Sequence, residues 1–148
     1  EDKVIVQVTF KEGDPKWKVE GLFFRSSTTA VRPENAETEA IRKLYEPVTN
    51  NYFEALKARD YQRMTKDFAK EMLEALSADK LKQTYETDIN RNYGEFADAK
   101  FDRVDKDKKF IIVYYIARHG EKNFVQVSFV FRSDDPEHKL FGLWTKPL

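Results

Sequence analysis

The chain repeats one of its own segments. Residues 4–25 (VIVQVTFKEGDPKWKVEGLFFR) align with residues 125–146 (VQVSFVFRSDDPEHKLFGLWTK) at a constant offset of 121, without a gap, and eight of the 22 positions are identical. The identities are Val4/Val125, Val6/Val127, Phe10/Phe131, Asp14/Asp135, Pro15/Pro136, Lys18/Lys139, Gly21/Gly142 and Leu22/Leu143. A period near 120 is too long for a solenoid repeat and suits a whole domain. The repeat therefore predicts that residues 1–26 are a β-hairpin from the end of a preceding homologous domain. A linker and leading helix follow over 27–45, then a second, complete copy over 46–148. The alternative is two unrelated amphipathic hairpins that share an Asp-Pro turn. The sequence opens on Glu1 and not on Met, so processing or trimming is expected to have set that start.

Lys+Arg and Asp+Glu are 26 each, so the formal charge is zero, and no basic run exceeds two residues. Binding to nucleic acid through a basic surface is not expected. Cysteine is absent, which excludes disulfides, thiolate metal sites and cysteine nucleophiles from these residues. The longest apolar run, 110–116, is far too short to span a membrane, so membrane insertion is not expected.

Residues 4–11 alternate apolar and polar, the pattern of a half-buried strand, and 13–16 supply turn chemistry before a second strand over 17–25. Residues 26–32 read as a linker, and Pro33 suits a first helical turn. Helix is expected over 34–45. Pro47, which has no N–H and whose ring strikes the preceding turn, is expected to kink or break it before 48–58 continues. Asp60 is a helix N-cap candidate. Met64, Phe68, Met72 and Leu76 recur every fourth residue and predict one helix. Ser77 caps the next, Leu81, Tyr85 and Ile89 form its apolar stripe, and Gly94 closes it. Strands are expected over 96–104, 109–118, 122–132 and 138–146, joined by short turns that force antiparallel neighbours. The fold class is α+β: about three helices on a curved antiparallel four-stranded sheet, plus the extra N-terminal hairpin.

Asn51-Tyr52-Phe53 with Leu56, Asp60-Tyr61, Phe68, Met72, Leu76-Ser77, Lys80-Leu81, Tyr93-Gly94-Glu95-Phe96 and Leu140-Phe141-Gly142-Leu143 resemble domain-of-unknown-function family 3887. That family is related to the nuclear-transport-factor-2-like superfamily with its cystatin-like fold. The resemblance covers about 46–147. It implies a cone in which the sheet wraps around the helices, often with an apolar pocket and often dimerising through the open sheet face. It also implies export, hence a periplasmic or secreted bacterial protein. Some superfamily members are isomerases or dehydratases and many are binding domains.

The sequence has no Gly-x-Gly-x-x-Gly, phosphate loop, Gly-x-Ser-x-Gly or His-Glu-x-x-His. His119 and His138 sit beside turns and are expected to be solvated, which suits a tuned base poorly. His138 with Asp134, Asp135 and Glu137 reads as an acidic turn and not as a metal site, because the matching 12–17 segment lacks the histidine. No catalytic residue, metal site or cofactor is assigned. The aromatic content, 12 Phe, 7 Tyr and 2 Trp, leaves two readings, a packed core or a ligand pocket. The pocket candidates are Tyr52, Phe68, Met72, Tyr85, Tyr114, Phe129 and Trp144. The expected function is a non-catalytic binding module that engages a small apolar ligand or a protein, through a concave pocket or the open sheet face. A homodimer or a tandem homologous domain is the expected protein partner. The alternative is an isomerase- or dehydratase-like enzyme using a pocket Tyr or Asp.

Overall fold

The computed structural model describes Val4–Phe10, Val19–Ser26 and Ala36–Leu148. The expectations for the 13–16 turn, the 27–32 linker and Pro33 lie outside the described residues. The chain divides into two compact units, Glu1–Asn35 and Ala36–Leu148.

In the first unit, β1 (Val4–Phe10) pairs antiparallel with β2 (Val19–Ser26). The second unit begins with α1 (Ala36–Lys57), which runs unbroken through Pro47. The expected break at Pro47 does not occur. Packing overrides the lost hydrogen bond, because Tyr45 and Thr49 on one side and Tyr52 and Phe53 beyond are all buried. Each such aromatic stabilises the fold by about 1.5–3 kcal/mol on burial, enough to offset a proline of about 3 kcal/mol.

The single helix expected across Met64, Phe68, Met72 and Leu76 is instead two short ones, α2 (Tyr61–Met64) and α3 (Lys70–Ala75). Phe68 lies between them in an extended bridge to Leu140. Ala69 N–H donates to the Leu140 carbonyl and Leu140 N–H to the Asp67 carbonyl, each at 2.8 Å. A spacing of four buries all three of Met64, Phe68 and Met72 without requiring a continuous helix. Asp60 accepts from Arg63 N–H at 3.0 Å, and Ser77 accepts from Lys80 N–H at 3.4 Å, so both act as N-caps. From Ser77 the chain forms α4 (Ala78–Gln83), a π-helical segment (Thr84–Ile89) and α5 (Asn90–Tyr93). Gly94 ends this run with φ +92°, a conformation that glycine adopts without strain.

The remainder is an open antiparallel sheet in the order β3 (Phe96–Lys106), β4 (Phe110–His119), β5 (Asn123–Arg132), β6 (Leu140–Pro147). The helices pack on one face. Its core rows include Ile111, Val113, Tyr115, Ala117 and His119 of β4 and Val125, Val127, Phe129 and Phe131 of β5. The other face carries no covering layer among the described residues of this unit.

Of the three register shifts in this sheet, one of which lies between Phe96 and Asp98, two set the faces that Arg103 and Trp144 reach. Register shifts between Phe101 and Arg103, and between Val130 and Phe131. The extra residue, Asp102 in β3 and Phe141 in β6, turns the strand over by one position. Arg103 and Trp144 thereby leave the core face.

Candidate functional site

The interior is an aromatic cluster. Phe53 stacks on Phe96 with centroids 5.4 Å apart and meets Tyr115 and Phe129 at 5.2 and 5.4 Å. Tyr45 stacks on Phe131 at 4.1 Å. Its polar atoms are paired. The Tyr52 and Tyr85 hydroxyls meet at 2.5 Å. Burial raises both their pKa values, that of Tyr85 to about 12 and that of Tyr52 well above the ordinary tyrosine value. Thr49 Oγ1 lies 2.9 Å from the Tyr115 hydroxyl and 3.2 Å from the Glu46 carbonyl. The carbonyl can only accept, so the one Thr49 proton points there and Tyr115 donates to Thr49. Tyr85 sits in the π-helical segment, where the Asn90 N–H reaches back five residues to the Tyr85 carbonyl.

His119, expected in solvent, is buried at the end of β4. Alternation from Ala117 carries its ring to the core face, where it lies edge-on to Phe96 at 5.8 Å. Nδ1 donates to the Gly94 carbonyl at 3.1 Å. Burial lowers the pKa, partly countered by that carbonyl. His138 packs its edge against Tyr45 at 5.2 Å. Next to it, Asp135 accepts from the Glu137 and Lys139 N–H groups at 3.0 and 2.9 Å, and these bonds lower its pKa. That carboxylate is occupied in shaping the turn. No group of three His, Asp or Glu side chains among the described residues is placed to hold a metal. An open groove of about 350 Å³ beside this turn is lined by Lys70, Glu71, Arg132, Asp134 and Lys139 among others.

Five of the seven pocket candidates come together inside: Tyr52, Phe68, Met72, Tyr85 and Phe129 are at most 6 % exposed and belong to one cluster. Tyr114 and Trp144 lie on the other side of the sheet. The structure places these two in one cross-strand row, Arg103–Tyr114–Ser128–Trp144, which spans all four strands on the outer face. The Arg103 guanidinium lies 3.7 Å from the Tyr114 ring centroid and is held by Asp102 at 2.5 Å. Trp144 is 61 % exposed, and its indole covers Gly142 so closely that a Cβ there would sit 2.5 Å from the ring. Gly142 is thus the seat of the indole. Arg132 lies 5.0 Å from the Phe141 ring. Ile112 and Ile116 flank Tyr114 along β4, and Phe110 and Phe124 are exposed at the strand ends.

The residues that sequence reasoning missed here are Arg103, Arg132 and Gly142. One signal was available. The run FIIVYYI in β4 is apolar at every position, whereas an antiparallel strand with one solvated face alternates.

The family model described as protein of unknown function (DUF3887) matches residues 49–143, and the chain belongs to that family. No curated protein and no solved structure matches the chain.

Proposed function

We propose that this family member is a non-catalytic protein-binding module, built on the cystatin-like plan of the nuclear-transport-factor-2-like superfamily, that binds through its outer sheet face. The observation that carries the reading is the row Arg103–Tyr114–Ser128–Trp144 with the indole seated on Gly142. Arg, Tyr and Trp dominate the energetics of protein interfaces, because each offers large, stiff, partly polar contact area. Here each is already held in place before a partner arrives, which lowers the entropy cost of binding.

Charge argues for protein over nucleic acid. Arg103 is paired with Asp102 and Arg118 with Asp98, and the chain is neutral. A surface with its own paired positive and negative groups suits an isologous contact with a second copy, and that copy is the first partner to test. A concave pocket for an apolar ligand has less support, since the interior is packed with paired hydroxyls and the groove at the 134–139 turn is charged. An isomerase or dehydratase would need a group that exchanges its proton near working pH. Tyr52 and Tyr85 are pushed the other way. Export to the periplasm or medium belongs to the same proposal.

Native mass spectrometry beside denatured intact mass tests the choice. The reading predicts no mass that is lost on denaturation except that of a second chain, and loss of any dimer in Trp144→Lys. A retained small molecule would move the function into the interior.

A further inference from the structure

The register of the two hairpins goes beyond their sequence likeness. β1–β2 pairs Val4↔Ser26, Ile5↔Arg25, Val6↔Phe24, Gln7↔Phe23, Val8↔Leu22, Thr9↔Gly21 and Phe10↔Val19. β5–β6 pairs Val125↔Pro147, Gln126↔Lys146, Val127↔Thr145, Ser128↔Trp144, Phe129↔Leu143, Val130↔Gly142 and Phe131↔Leu140. All seven pairs coincide at the offset of 121, and the bulge falls at the same step, Thr9/Phe10 and Val130/Phe131. The connecting segments are too long for a two-residue turn to dictate register, so the agreement reflects the strand patterns.

One difference separates the two. β5 is hydrogen-bonded on both edges, to β4 and β6, whereas β1 is paired with β2 alone among the described residues. The positions that Val4, Val6, Val8 and Phe10 match in β5 are Val125, Val127, Phe129 and Phe131, each at most 3 % exposed under the helices. A two-stranded hairpin is marginal in water without such a covering layer.

We infer that the free edge of β1 is the docking edge for a β4-type strand supplied by a preceding copy of this fold on the same polypeptide, with β1–β2 as that copy's closing hairpin. The occupant follows from the register: the partner of β5 at this edge is β4, and the offset places the equivalents of α1 to β4 ahead of Glu1. This inference does not depend on what the outer face binds.

Two experiments on the parent polypeptide test it. The first reads its sequence ahead of Glu1. An α+β segment ending in an apolar strand there is expected, and its absence overturns the inference. The second is hydrogen exchange on the parent polypeptide with Val6→Glu as a companion variant. All β1 amides are expected to exchange as slowly as those of β5. The variant is expected to lower one unfolding transition and leave that of 36–148 unmoved. Alternate β1 amides exchanging freely, or one shared transition shifted by Val6→Glu, would overturn it. If the parent polypeptide resists folding in bulk, a disulfide between the β1 edge and the upstream strand forms only if they are neighbours. Its failure to form counts against the inference.

Discussion

Replacing Tyr52 or Tyr85 by Phe should destabilise the protein, while replacing both should restore much of the loss. The hydroxyls meet at 2.5 Å, and the two residues are 1 % and 2 % exposed. Each single change removes one oxygen and strands the other where water cannot reach it. An orphaned buried hydroxyl costs about 1–3 kcal/mol, so each single variant should lose about 2 kcal/mol. The double variant loses the bond but also both polar groups that needed it, and its cost should be no more than about 1 kcal/mol. The coupling is therefore about 3 kcal/mol short of additive, at the strong end of contacting pairs. Urea unfolding of the four proteins, followed by the helical signal, measures it. In heat, each kcal/mol should move the midpoint by about 4 °C for a unit of this size. Additive losses would refute the reasoning. They would mean that each hydroxyl has another partner, such as water or a bound molecule between the rings, and the interior would then be a pocket.

Acid should weaken the fold through His119. Burial lowers its folded pKa below 6.5, so below about that pH the unfolded chain takes up a proton that the folded one resists. Stability is present above 6.5 and is lost as pH falls through the folded value. His119→Gln, which can still donate to Gly94, should flatten the urea midpoint between pH 7 and 5, and equal slopes in the two proteins would contradict this. Gly142→Val should unseat the indole, since a Cβ comes within 2.6 Å of two ring atoms. In a Trp17→Phe background the Trp144 emission should shift to the red with the fold retained, and an unchanged spectrum would refute the seat.

Much of the fold is legible in the residues. Asp60, Ser77 and Gly94 mark helix ends because their capping chemistry is local, and the four strands follow from apolar segments bounded by short turns, β4 without alternation of its own. Phe68 was not legible as an extended residue, since a spacing of four is satisfied equally by a helix and by two short helices bridged through Leu140. Pro47 misleads because its cost is local, whereas the packing of Tyr45 and Tyr52 that overrides it is not. His119 could have been placed by extending the inward row of Val113, Tyr115 and Ala117 by two residues, up to the turn at Gly120. Trp144 belongs on the core face by simple alternation from Leu140, and only the bulge at Phe141 turns it out. The exposed half of the candidate site therefore depends on a one-residue irregularity that no periodicity reveals.

The central claim is that the outer sheet face binds protein, and photo-crosslinking in the native host tests it most directly. A photoreactive amino acid replaces Trp144 in one strain and exposed Lys82, on the helical side, in another. The account predicts a discrete polypeptide adduct from position 144, whether with a second copy or another protein, and none from 82. No adduct at 144, or equal adducts from both positions, would contradict it.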